Sequence, residues 1–141
     1  MGGGIPADNR QALVGARMVG IGQRRASLGP SRGDIHFADF PDVGGNVIRG
    51  PHPAAVVQAD RMRGSSTVVV VPLTSSARAA EFQPRFLAPI AARESGLSRD
   101  GWAKCDQPTT LPVMLLGPRS GRLSPEAMAR VDDALRFALD L

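Results

Sequence analysis

The sequence predicts an α+β fold: a curled antiparallel sheet or small barrel that ends in one helix. Three observations lead there. Short apolar, β-branched runs recur between turns along most of the chain. The 16 glycines and 12 prolines among 141 residues disfavour a long helical bundle. Only the last stretch carries a helical period.

The folded part is expected to begin at Arg32-Gly33-Asp34. Ile35 to Phe40 alternates as a half-buried strand, with Ile35, Phe37 and the neighbouring Phe40 turned to a core and His36 at the surface. Pro41 ends it, and residues 42–52 read as a Gly- and Pro-rich loop. Ala54 to Gln58 and Thr67 to Val71 are continuous apolar runs, the pattern of central strands, with a turn over 61–66 between them. Further strands are expected over 84–91 and 102–107, joined by the polar stretch from Arg93 to Asp100, and a last short one over 117–123. Ser124 then offers an N-cap, Pro125 the first helical position and Glu126 an acid in the first turn. Met128, Val131, Leu135 and Ala138 form one apolar stripe, with Arg130, Asp133 and Arg136 away from it.

Residues 1–31 are rich in glycine, hold no aromatic residue and keep no apolar period. They are expected to form a dispensable arm, or to lie upstream of the true start, with Met18 as an alternative initiator. This stretch also carries most of the basic excess. The formal net charge is +4, yet Arg10, Arg17, Arg24 and Arg25 stand against Asp8 alone within the first thirty residues. Bulk charge is therefore a weak pointer to an anionic partner. Only Lys104 among the 17 basic residues is a lysine, which a GC-rich coding bias explains as well as phosphate binding does.

One cysteine, Cys105, rules out an internal disulfide and a cysteine-rich zinc site. The apolar run Val68 to Val71 stops at Pro72, far short of the ~20 residues of a membrane span. The first residues lack the apolar core of a secretory signal. A soluble cytoplasmic protein without a membrane partner is expected, and no His, Asp or Glu cluster has metal-ligand spacing.

Four stretches, in this order, resemble the MazF/PemK toxins of bacterial toxin–antitoxin pairs. They are Arg32-Gly33-Asp34-Ile35 with Asp39; Pro53-Ala54-Ala55-Val56-Val57; Val69-Val70-Val71-Pro72-Leu73-Thr74-Ser75; and Gly121 to Glu126 leading into Val131-Asp132-Asp133-Ala134-Leu135. Cys105-Asp106-Gln107 with Thr110 is a weaker fifth. The likeness spans residues 32–141 and implies an SH3-like, CcdB-like barrel with a terminal helix, and a homodimer. It further implies cleavage of single-stranded RNA without metal or other cofactor, and a cognate antitoxin whose tail blocks the RNA groove. A binding protein on the same fold, as in the CcdB-type gyrase inhibitors, is the second class. Their Trp-Gly-Ile tail is replaced here by Phe137-Ala138-Leu139-Asp140-Leu141. A catalytically weak relative that only binds antitoxin or RNA is the third.

Cutting RNA without metal requires the ribose 2′-hydroxyl to attack the adjacent phosphorus. A group must accept that proton, another must protonate the leaving 5′-oxygen, and charge on the phosphate must be stabilised. The resemblance places the family's threonine at Thr74 and its catalytic arginine at His52. An imidazole exchanges protons near neutrality, whereas a guanidinium is a permanent charge. Three readings of His52 are open: it replaces the arginine as acid or base; Arg49 supplies the charge from the same loop and His52 does less; or the site is degraded. Thr74 is expected to hold the scissile phosphate or the 2′-hydroxyl, against a plain role capping the following turn. Ser75 beside it, Arg49, Asp106 and Gln107 are the RNA-binding candidates; Gln107 is able to read base edges. Pro108 and Thr109 stand where the family continues with an aliphatic residue and an arginine, which points to a different recognition sequence. Trp102 and Cys105 read as packing residues. Arg61, Arg63 and Arg78 read as solvated charges, with a basic rim for phosphates as the alternative.

Overall fold

The computed structural model describes residues 29–141, apart from the side chains of Ala77, Ala79 and Ala80. Expectations for residues 1–28 lie outside the described part. Seven strands run in chain order: β1 (Asp34–Phe40), β2 (Gly50–Val56), β3 (Thr67–Thr74), β4 (Leu87–Ile90), β5 (Gly101–Lys104), β6 (Thr109–Pro112) and β7 (Leu116–Arg122). Helix α1 (Ala77–Phe82) follows β3, and helix α2 (Pro125–Leu139) ends the fold. All pairings are antiparallel along the path β4-β5-β3-β2-β1-β7, with β6 added beside β3. The expected antiparallel sheet with one C-terminal helix is therefore present.

The helix forms as its sequence dictates. The Ser124 hydroxyl accepts the Ala127 N–H at 3.1 Å, Pro125 occupies the first turn, and Asp140 closes the helix in the left-handed region. Its face of Ala127, Val131 and Ala134 is buried against Ile35, Ala55, Val71, Leu73, Ala88, Ile90 and Ala103. The opposite sheet face has its own core of Ala38, Phe40, Ala54, Val56, Val68, Val70 and Leu111. β2 and β3 are thus covered on both sides, which is why their sequences are continuous apolar runs rather than alternating ones.

Four expectations are corrected. Phe37 is 48% exposed, and His36 is half-buried with its Nδ1 donating to the Gly117 carbonyl at 2.8 Å. The β1–β7 register shifts on both sides of His36 through extra residues on β7, while β1 stays in unbroken register with β2 and changes the core it serves, from Ile35 on the helix side to Ala38 and Phe40 on the other. Second, Gly50, Pro51 and His52 are strand rather than loop, paired with Phe40, Asp39 and Ala38. Third, the strands expected over 84–91 and 102–107 shrink to β4 and β5. Fourth, α1 and β6 were hidden by short length and by the Thr-Thr-Leu-Pro composition of β6.

β4 and β7, the two ends of the path, are tied through the segment after β4. The Glu94 and Ser95 carbonyls accept the Ser124 and Arg122 N–H groups at 2.9 and 3.2 Å. This requires a bare backbone at residue 121: a Cβ on Gly121 would lie 1.8 Å from the Ser95 carbonyl oxygen. Above that contact, Arg130 of α2 binds the Glu94 carboxylate and the Pro89 carbonyl. The Arg130 hydrogen bond, then the Ala91 N–H, holds the Glu94 carboxyl at about 2 against its usual 4.5, with burial opposing.

Two outcomes follow. Gly121→Ala separates β7 from residue 95 and lowers stability by at least about 2 kcal/mol in urea unfolding; an unchanged midpoint would contradict the contact. Because the folded carboxyl of Glu94 titrates below the unfolded one, its stabilisation is complete above pH 4.5 and is lost as pH falls toward 2. Glu94→Gln therefore flattens the stability–pH curve across that window, measured by thermal unfolding at a series of pH values.

Candidate functional site

The site is set by where the ladders stop. β2 and β3 pair at Val56↔Val70, Ala55↔Val71 and Ala54↔Pro72 and no further. The Val56 carbonyl faces the β1 side, accepting from Gly33 N–H at 2.8 Å, and Val57 N–H faces β3, donating to Val69 at 3.1 Å. Strand backbone alternates direction residue by residue. Positions 53 and 51 therefore face β3, and both are prolines with no N–H to give. The same alternation turns Pro72 toward the other edge of β3. There β6 ends at Val70↔Thr109 and β5 takes over at Leu73↔Ala103 and Thr74↔Trp102. Prolines thus sit at both ladder ends, and the sheet opens between them.

Continued by two residues along each strand, the β2–β3 register sets His52 across from Thr74. Both side chains are half-buried, and both line two clefts. One, of about 460 Å³, is walled by Phe37, Leu73, Ile90, Leu97 and Trp102, with Ser75, Arg99 and Asp100 at its polar parts. The other, of about 370 Å³, adds Asn46, Arg78, Phe82 and Lys104. His52 packs edge-on against Phe40, ring centroids 6.4 Å apart. The Thr74 hydroxyl accepts the Ser76 N–H at 3.2 Å, the turn-capping contact that a strand-end threonine makes.

The other candidates are spread out. Ser75 is exposed and lines the larger cleft. Arg49 is exposed, with its guanidinium on the Gly45 carbonyl of its own loop at 3.5 Å, and it lines neither cleft. Asp106 is exposed and lines neither. Gln107 turns its amide inward: its oxygen accepts the Ile48 N–H at 2.8 Å and its nitrogen donates to the Asn46 carbonyl at 3.2 Å. It staples the β1–β2 loop to the turn after β5. Arg63 is held by the Gly29 carbonyl at 2.8 Å, whereas Arg78 reaches the smaller cleft.

Sequence reasoning passed over Lys104, Arg99 and the cleft-facing side of Trp102. The isolated lysine in an arginine-rich chain was the available signal for the first; the others depend on where β5 docks. Cys105 is buried with its Sγ near the Val131 carbonyl, and burial, followed by Asp106 and Asp132, pushes the thiol up to about 12. It is a packing residue, as expected. Among the described residues, no group of three or more His, Cys, Asp or Glu side chains is arranged to hold a metal ion, and no helix is long and apolar enough to cross a membrane.

The fold is that of a toxin class. The family described as PemK-like, MazF-like toxin of type II toxin–antitoxin system matches residues 31–139. The chain is similar to the endoribonuclease EndoA of Bacillus subtilis, at 32% identity over 111 residues, 78% of this chain and 94% of that protein. It is 36% identical to the probable endoribonuclease MazF of Mycolicibacterium smegmatis over 110 residues, 78% of this chain and 96% of that one. Among solved structures, a mycobacterial endoribonuclease in complex with its cognate antitoxin superposes with a TM-score of 0.63 at 27% identity, covering 80% of this chain and 97% of that one. MazF of Deinococcus radiodurans shares the fold, with a TM-score of 0.67 at 19% identity over 80% of this chain and 98% of that one. The chain belongs to the PemK-like, MazF-like toxins of type II toxin–antitoxin systems. It is an endoribonuclease of the MazF family.

Removing the Gln107 staple has a measurable result. Gln107→Ala leaves the Ile48 N–H without its acceptor, a loss of about 1 kcal/mol. The β1–β2 loop then opens more often, and trypsin cuts after Arg49 about five-fold faster. An unchanged cleavage rate would show that the loop is held by other contacts.

Proposed function

We propose that this toxin cleaves single-stranded RNA, messenger RNA above all, at short specific sequences and without a metal ion, and so arrests translation. The observation that carries this reading is the placement of His52 and Thr74 on adjacent strands, lining the same two open clefts. A scissile phosphate seated between them meets an imidazole from β2 and a hydroxyl from β3. His52 takes the proton of the 2′-hydroxyl, the 2′-oxygen–phosphorus bond forms, and the phosphorus–5′-oxygen bond breaks. The 5′-oxygen takes up a proton from the imidazolium or from water, leaving 2′,3′-cyclic phosphate and 5′-hydroxyl ends.

Thr74 contributes a hydrogen bond. Its oxygen already accepts from Ser76 N–H, so its own proton is the group it has to offer a phosphate oxygen. One imidazolium offsets only part of the charge on the pentavalent intermediate, and Arg78 and Lys104 in the smaller cleft supply more. Ser75, Arg49, Asp106 and Gln107 remain the RNA-contact set, with Gln107 reaching bases once its loop is released. The same reading carries a homodimer, a cytoplasmic site of action and a cognate antitoxin that covers the clefts. It also curls the sheet into an SH3-like barrel, supported by the two bonds from residues 94 and 95 to the end of β7.

The test is incubation of the purified protein with long single-stranded RNA in EDTA, with the ends and sites of cleavage mapped. Cyclic-phosphate ends are expected. His52→Ala lowers kcat by ~10²- to 10⁴-fold, and Thr74→Ala by ~10- to 100-fold, both with wild-type melting temperatures. His52→Arg supplies a permanent positive charge and retains cleavage, but its pH–rate profile loses the limb that depends on the imidazole. A fully active His52→Ala enzyme would refute the assignment, and an inert wild-type protein would favour the non-catalytic reading.

A further inference from the structure

The register that aligns His52 with Thr74 extends one strand further. Trp102 of β5 is paired directly with Thr74, so the two side chains project from the same face of the sheet. Imidazole, hydroxyl and indole thus stand in one cross-strand row on β2, β3 and β5. Adjacent strands are ~4.8 Å apart, which places the indole beside the hydroxyl. Residue 101 enforces this closeness. A Cβ on Gly101 would lie 2.7 Å from the Thr74 carbonyl oxygen, so only glycine lets β5 approach β3 here. The indole does not disappear into either core. It is half-buried and lines both the His52–Thr74 cleft and a neighbouring one of about 640 Å³. The exposed ring of Phe37 and the side chain of Leu97 complete an apolar wall, with Arg99 and Asp100 at its polar margin.

Resting on the cleavage reading above, we propose that Trp102 is the specificity-determining residue that stacks on the nucleobase next to the scissile phosphate. A flat apolar face bordered by polar groups matches a nucleobase, whose faces are apolar and whose edges carry donors and acceptors. Its place in the row selects RNA over a protein side chain as the occupant, because a phosphate held by Thr74 brings its own base within reach of the neighbouring strand. Phosphate contacts position the strand, and the indole sets which base is tolerated beside the cut.

The chain has one tryptophan and no tyrosine, so its intrinsic emission reports on Trp102 alone. The probe is a short single-stranded RNA spanning a mapped cleavage site, with 2′-deoxyribose at the cut position to prevent reaction. Emission is expected to be quenched in step with binding followed independently by anisotropy of the labelled probe. Trp102→Ala is expected to raise KM by about five- to one-hundred-fold and to shift the distribution of cleavage sites, with kcat at its best sites much less affected. Trp102→Phe restores much of the KM and shares the wild-type melting temperature, separating stacking from folding. Binding without any change in emission, or a Trp102→Ala enzyme with wild-type KM and sites, would overturn the assignment while leaving the cleavage reading intact. A wild-type protein that neither cuts nor binds RNA would sink that reading and this assignment with it.

Discussion

The absence of an N–H group at three positions shapes the working part of this molecule. Pro51 and Pro53 deny β3 any donor beyond Ala54, and Pro72 denies one to the strand on its other side. A backbone able to pair throughout would zip β2 to β3 along their length and give a flat, closed sheet. Here the ladder halts while the strands continue, so His52 and Thr74 face each other across an opening. Both strands are anchored just before they part, with Ala54, Ala55, Val56, Val70 and Val71 fully or almost fully buried. The two side chains of the proposed site are therefore presented from rigid strand ends, which hold a reacting geometry better than loops do.

Two close backbone approaches then decide what surrounds that opening. Gly101 brings β5 against Thr74, and Gly121 brings β7 against Ser95. Each is a point where a single methyl group would push a strand away. The segment between β4 and β5 is held between them, linked to α2 through Glu94 and Arg130. It contributes Leu97, Arg99 and Asp100 to the cleft of about 460 Å³ that His52 and Thr74 line. Helix packing, sheet ends and cleft wall are in this way one connected arrangement rather than separate modules.

Much of this was legible in the chain. The β-branched runs marked β2 and β3 because strands buried on both faces need no polar positions, and Ser124-Pro125-Glu126 announced the helix through local capping rules. What escaped was whatever depends on register. Phe37 looks like a core residue by alternation, yet β1 serves the helix-side core only at Ile35 and the opposite core at Ala38 and Phe40, which leaves Phe37 exposed on the face of Ile35. Pro51 argued for a loop, since a proline costs a strand its donor; on an edge facing no partner that cost vanishes. Gln107 carried the right chemistry for reading bases, but its partners, Ile48 and Asn46, lie some sixty positions away in sequence. Trp102 is silent in the sequence because the role proposed for it comes from the residue paired with it.

The buried thiol has a practical side. Cys105 is the only cysteine of the chain, and its high proton affinity keeps it out of alkylation chemistry in the folded protein. Any cysteine engineered at the cleft rim becomes a unique attachment point for a spin label or fluorophore, with no background substitution needed.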